Sequence, residues 1–145
     1  MDRTDYQILN LLQNDCRATL KVIGEQVGLT APAVSERIRR MEETGVIRRF
    51  RIDVDRRRLD CNITGFILVA PEPDKYEHFC RFCEKTPAIL SHSHTIGIFN
   101  ALLRFAVRDT QELDKILSSI KHYGNSQTSV ELGLYFDHKD IPLPD

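Results

Sequence analysis

Three groups of residues in this 145-residue chain have the types and spacings to do chemistry. The first is cationic: Arg37, Arg39 and Arg40, followed by Arg48, Arg49 and Arg51. Arginine's planar donor fork suits phosphates and guanine edges better than lysine's point charge. The second group combines sulfur and imidazole: His78, Cys80 and Cys83, with His92 and His94 a short way on. The third is the run Ile96, Gly97, Ile98, Phe99 and Asn100. A glycine there admits a close approach, and the Asn100 carboxamide offers donor and acceptor beside apolar groups. A small amphoteric ligand such as an amino acid needs that mixture; the plainer reading is an ordinary hairpin turn.

The arginines gain weight from where they lie. Net charge is −1 overall. Residues 1–60 hold 12 Lys/Arg against 10 Asp/Glu (+2), and residues 61–145 hold 8 against 11 (−3). Between positions 37 and 58 nine arginines face four acids (+5), and eleven of the twelve basic residues in the first part are arginine. A solvated charged face is the bland alternative. The sulfur–imidazole group points elsewhere. Structural zinc wants four convergent Cys/His ligands, and the chain has one CxxC, at apolar positions of an amphipathic segment. A redox CxxC belongs at a helix N-terminus after a strand, and Cys80 falls mid-helix. Reduced core cysteines are expected, with no metal and no cofactor.

Other classes drop out. There is no GxSxG, glycine-rich phosphate loop, HExxH or paired-carboxylate arrangement, so no catalytic residue is assigned. No apolar run approaches the roughly 20 residues that span a bilayer. The charged start MDRTDYQ lacks the apolar core of a signal peptide, which predicts a cytoplasmic protein without a membrane partner.

The elements that must position these groups follow from periodicity and caps. Residues 2–13 read as a helix with Ile8, Leu9, Leu11 and Leu12 inward and Asp2 or Thr4 as cap. Thr19 caps a second helix with Leu20, Val22, Ile23 and Val27 on its apolar face, and Gly28 stops it. Thr30 caps a third, in which Pro32 is tolerated in the first turn and Val34, Ile38 and Met41 form the buried stripe. Its opposite face carries Pro32, Ser35, Glu36, Arg39 and Glu43. Gly45 ends that helix, and residues 46–54 alternate well enough to read as a basic strand. Residues 53–60, DVDRRRLD, form the natural boundary. Beyond it come a strand over 63–70, a helix from Lys75 capped by Asp74, strands over 89–96 and 99–107 joined at Gly97-Ile98, a helix with an Asp109/Glu112 capping box, and a last strand over 127–136. The expected fold is α+β: an N-terminal three-helix helix-turn-helix (winged-helix-like) domain and a C-terminal ferredoxin-like β-α-β-β-α-β domain. The expected division is 1–50 for the helical domain, 51–61 for a linker, 62–140 for the second domain and 141–145 for a tail.

The chain resembles the leucine-responsive/asparagine regulators (Lrp/AsnC, the feast/famine transcriptional regulators) over nearly its whole length. The residues that carry the likeness are Asp2-x-x-Asp5-x-x-Ile8-Leu9, Leu11-Leu12-Gln13-x-Asp15-x-Arg17, Val27-Gly28-Leu29-Thr30 and Val34-x-x-Arg37-Ile38-x-Arg40-Met41-Glu42-x-x-Gly45-Val46-Ile47. The resemblance implies a transcriptional regulator that binds double-stranded DNA, assembles as a dimer or an assembly of dimers up to an octamer, and is modulated by a small effector such as an amino acid. It places DNA contact on Thr30, Ala31, Pro32, Ala33, Ser35, Glu36, Arg37, Arg39 and Arg40. Ser35, Glu36 and Arg39 are candidates for base edges, whereas Arg37, Arg40, Arg48 and Arg49 are candidates to hold phosphates or brace the fold; an intramolecular ion pair is the alternative for Arg37. The family's effector loop, usually Thr-Gly-x-Tyr-Asp, aligns with Ile96, Gly97, Ile98, Phe99 and Asn100, where only glycine is kept. Losing the acid at Asn100 removes a charge for an ammonium group. The competing class is an enzyme: proteins of similar build decarboxylate haem precursors, and SHSHT is a faint echo of their histidine-rich segments.

Overall fold

A computed structural model describes residues 1–136 and 139–143. The chain divides into two units, one of residues 1–53 with 136 and 139–143, the other of residues 54–135.

The first unit is built from α1 (Arg3–Asn14), α2 (Leu20–Val27) and α3 (Ala31–Glu43). Each helix begins on a side chain that satisfies orphan backbone donors. Asp2 accepts from the Asp5 amide while the Asp5 carboxylate accepts from the Asp2 amide, a reciprocal capping box. Thr19 and Thr30 accept from Val22 and Ala33. Gly28 takes left-handed angles (φ 70°, ψ 32°) and closes α2, as its lack of a Cβ allows. Ile8, Leu12, Ile23, Val34 and Met41 form the buried core, with Leu9, Leu11, Val27, Ile38 and Ile47 packed around it. Leu20 and Val22, expected inward, are exposed because an eight-residue helix turns only a narrow stripe toward its neighbours.

Residues 46–54 do not form the expected strand. Phe50, Ile52 and Val54 alternate in sequence, yet all three are exposed and no neighbouring strand among the described residues offers a ladder. Alternation specifies a strand only where a partner accepts its hydrogen bonds.

The second unit is a four-stranded antiparallel sheet in the order β2-β3-β1-β4, with β1 Ile63–Pro71, β2 Ile89–His94, β3 Ala101–Val107 and β4 Gly124–Val130. Helices α4 (Tyr76–Lys85) and α5 (Thr110–Ile120) complete the β-α-β-β-α-β sequence. Cross-strand partners share a face, so the register sorts the side chains. Ile67↔Leu103 and Val69↔Ala101 lie in the core with Phe79, Cys83, Leu113, Ile116 and Ile120 from the helices. Phe66, Leu68 and Leu102 alternate with them and are only half-buried or exposed, so they belong to the opposite face.

Three boundaries differ from expectation. The last strand starts at Gly124 and stops at Val130, which faces Gly65; the Glu131 amide reaches Thr64 O as the final rung, while Ile63 and Thr64 of β1 pair on with β3 alone. The β2–β3 connection spans residues 95–100 rather than a two-residue turn, closed by Thr95 N–H on Asn100 O and Thr95 Oγ1 on Phe99 O. Asp74 does not cap α4; a short 3-10 turn, Pro73–Lys75, runs straight into it.

Candidate nucleic-acid interface

α3 presents its outer face as the sequence implies: Pro32, Ser35, Glu36 and Arg39 are exposed, Ala31 and Ala33 half-buried, and Thr30 is spent on capping. What holds this face in place is a buried carboxylate that the sequence reading names only within the motif Asp2-x-x-Asp5-x-x-Ile8-Leu9. Asp5 is 0% exposed. It accepts from Arg37 Nη1 at 2.7 Å and from Arg40 Nη2 at 3.0 and 3.2 Å, in addition to the Asp2 amide. Arg37 Nη1 also meets Asp2 at 2.7 Å. One acid of α1 therefore gathers two arginines of α3, and the intramolecular alternative for Arg37 is the one realised in the structure. Arg40 is drawn to the same carboxylate with its side chain 55% exposed. Burial would push the Asp5 carboxyl up; the Asp2 amide and the Arg37 guanidinium outweigh it, and the net shift is downward. The spacing Asp2-x-x-Asp5 was the available signal, since it sets both acids at the N-terminus of one helix.

Arg39 belongs to a separate cluster. Glu36 takes its Nε and Nη2 edge and Glu43 takes Nη1, one turn away in each direction. The Arg39 hydrogen bond holds the Glu36 carboxyl below its ordinary range. Arg48 and Arg49 are exposed and lie after α3 outside any strand.

In the second unit the run from Ile96 to Asn100 forms the tip of the β2–β3 hairpin. Ile96 and Ile98 are fully exposed, Gly97 has φ 149°, and Phe99 and Asn100 are half-buried. The Asn100 Oδ1 atom is buried without a hydrogen-bond partner among the described residues, so the carboxamide is the polar feature of an otherwise apolar tip. His92 and His94 turn toward α4. His92 stands edge-on to Phe79 at 5.2 Å between ring centroids, and burial lowers its pKa with His94 adding to the shift. His94 Nδ1 lies 2.8 Å from the Tyr76 hydroxyl. His78 is exposed, and burial pushes the Cys83 thiol up to about 12. All four cysteines are free, and no group of three or more His, Cys, Asp or Glu among the described residues is placed to hold a metal ion. Among the described residues no helix is long and apolar enough to cross a membrane.

Comparison with known proteins agrees with this architecture. Residues 1–42 match the AsnC-type helix-turn-helix domain and residues 64–141 the Lrp/AsnC ligand binding domain. The chain is 30% identical over 132 residues to the uncharacterised HTH-type transcriptional regulator YezC of Bacillus subtilis, covering 91% of this chain and 94% of that one. It is 29% identical to the HTH-type transcriptional regulator FL11 of Pyrococcus horikoshii, covering 99% and 97%. Solved structures share the fold: LrpC of B. subtilis superposes with a TM-score of 0.87 at 22% identity, covering 96% and 99%. The Neisseria meningitidis regulator NMB0573, in complex with L-Met, superposes with a TM-score of 0.89 at 24% identity, covering 98% and 96%. With a helix-turn-helix unit braced through Asp5 and a ferredoxin-like unit following it, the chain belongs to the Lrp/AsnC family of helix-turn-helix transcriptional regulators.

Proposed function

We propose that this regulator is a cytoplasmic, sequence-specific DNA-binding protein that works as a homo-oligomer and answers to a small effector. The observation that carries the reading is the outer face of α3, exposed at Pro32 and exposed and polar at Ser35, Glu36 and Arg39, on a helix locked to α1 by a buried carboxylate. α3 enters the major groove, where Ser35 and Arg39 meet base edges and Glu36, a base-edge candidate by position, holds the Arg39 guanidinium. Arg48 and Arg49 take phosphates, and Arg37 and Arg40 serve mainly as braces. In domain terms, residues 1–50 bind DNA, 51–61 link, and 62–140 assemble and sense.

Assembly uses the sheet face opposite α4 and α5. Phe66, Leu68 and Leu102 put apolar surface there, and a second copy supplies the matching face. Two α3 helices in a symmetric pair then serve half-sites about 34 Å apart. The effector meets the 96–100 hairpin tip, and it acts by shifting assembly or the spacing between DNA-binding units. An amino acid is the first class to test, since the Neisseria relative was crystallised with L-Met. Asn100 offers no negative charge to an ammonium group, so common amino acids bind weakly.

The test is selection of bound duplexes from a random DNA library, with and without an amino-acid mixture, alongside a mass measurement of the assembly. Enrichment of related, two-fold symmetric sequences is expected. A selected pool indistinguishable from the starting one refutes the assignment.

A further inference from the structure

α3 carries Arg37, Arg39 and Arg40 against Glu36, Glu42 and Glu43, a formal charge of zero. Arg37 and Arg40 are engaged with Asp5 on α1, which leaves Arg39 as the α3 arginine whose partners lie on α3 itself. Its side chain is 57% exposed, and those of Glu36 and Glu43 are 64% and 58% exposed. A helix of this composition has little long-range pull on a phosphate backbone, so its contribution depends on what Arg39 can exchange at close range.

The geometry of the cluster is asymmetric. Glu36 receives two N–H groups from one edge of the guanidinium, Nε and Nη2, in a fork. Glu43 receives only Nη1, which belongs to the other edge. A guanine in the major groove presents O6 and N7, two acceptors matched to one arginine edge. With Glu36 in place, the edge left for guanine is Nη1/Nη2, the one Glu43 contests.

We propose that Glu36 and Glu43 determine the DNA specificity of this protein through Arg39, Glu36 by positioning the guanidinium and Glu43 by competing with guanine for its open edge. The inference rests on α3 being the recognition helix. Guanine replaces the Glu43 bond with two acceptors and displaces it. Adenine sets a donor beside its acceptor, thymine a methyl group, and cytosine a donor alone, so at those bases Glu43 keeps the arginine. A carboxylate left in place then faces the negative field of the DNA and weakens binding to the wrong sequence. Glu36 and Glu43 are thus positioning residues with opposite effects: one favours the matched site, the other penalises the unmatched one.

The experiment is a set of double-mutant cycles on the full-length protein. It measures the Kd for the duplex recovered by library selection and for a random-sequence duplex at one fixed salt concentration. Glu43→Gln should tighten random duplex roughly three- to ten-fold more than the selected site, and Glu36→Gln should weaken the selected site roughly three- to ten-fold with little change on random duplex. Both effects should vanish in an Arg39→Ala background, and Glu42→Gln, which removes an exposed charge from the same helix, should reproduce neither. All these side chains are exposed, so circular dichroism of each variant should match the parent. If the changes persist without Arg39, or fall equally on both DNAs, the proposal is wrong and the acids act only through net charge. Parent protein that discriminates no sequence removes the recognition-helix reading and this inference together; parent that discriminates, with flat cycles, removes this inference alone.

Discussion

Replacing Asp5 by asparagine isolates what the buried acid does for the DNA-binding unit. The substitution keeps the shape and removes the charge. Asp5 accepts four hydrogen bonds from three donor nitrogens: the Asp2 amide at 2.9 Å, Arg37 Nη1 at 2.7 Å and Arg40 Nη2 at 3.0 and 3.2 Å. A carboxamide has one oxygen to offer and sets an N–H₂ group against at least one of these donors. Breaking a fully buried pair typically costs about 3–5 kcal/mol. Here the arginines left behind are 26% and 55% exposed and can turn to water, so the cost falls to about 2–3 kcal/mol. Hydrogen-exchange mass spectrometry reads this locally, which suits a chain with two units and no tryptophan. Amides of α1 and α3 that exchange through opening of the first unit should do so roughly 30- to 150-fold faster. Those of β1 and β3 should not change.

The same carboxyl gives the pH dependence. Its folded value lies below the ordinary 3.8, so its contribution is complete above that value and is lost as pH falls through the lower, folded one. Parent and variant should therefore differ by a constant amount near neutrality and converge in acid. An effect below about 0.5 kcal/mol at pH 7, or a gap that widens in acid, would refute the assignment of Asp5 as the brace.

Other substitutions probe the second unit. A Cβ at Gly65 would stand 2.1 Å from the Ser129 carbonyl oxygen and 3.0 Å from the Phe105 ring, so Gly65→Ala should cost about 2–3 kcal/mol in urea unfolding; an unchanged midpoint contradicts the close approach of β1 and β4. Asp109 accepts from the Glu112 amide at 2.8 Å, and Asp109→Ala should cost about 1 kcal/mol, against less for Thr30→Ala, whose cap bond is 3.4 Å long. The order of the two losses is the check. Cys83 is buried with its thiol near 12, whereas Cys16 is exposed. Iodoacetamide at pH 8 should label Cys16 in the native protein and leave Cys83 unmodified until denaturant is added, as peptide mass spectrometry would show. Comparable native labelling rates would mean that the α4 face opens readily.

Local chemistry was legible in the chain itself. Thr19, Thr30 and Asp109 announce helix starts because a cap bond spans three residues and needs nothing from elsewhere. The stripe Val34, Ile38 and Met41 marks a buried face because 3.6-residue periodicity survives any tertiary arrangement. The second capping box was read nearly right: Asp109 caps Glu112, while the Glu112 carboxylate returns to the Arg108 amide, one residue earlier than the motif implies. The family likeness rested on these same short patterns.

What depended on partners was not legible. Residues 46–54 carry a strand's alternation and form none, and β4 ends with its pairing to β1 at Val130 rather than where its own apolar residues do. The sequence sets Arg39 toward base edges but leaves Arg37 and Arg40 open between holding phosphates and bracing the fold; the tertiary structure shows where each is engaged. Arg37 and Arg40 go to an acid 32 and 35 residues away, and Arg39 stays with neighbours on its own helix. A spacing rule sees charges within a turn of one another. It does not see a carboxylate on another helix, and only packing α1 against α3 brings Asp5 within 3 Å of the side chains it holds.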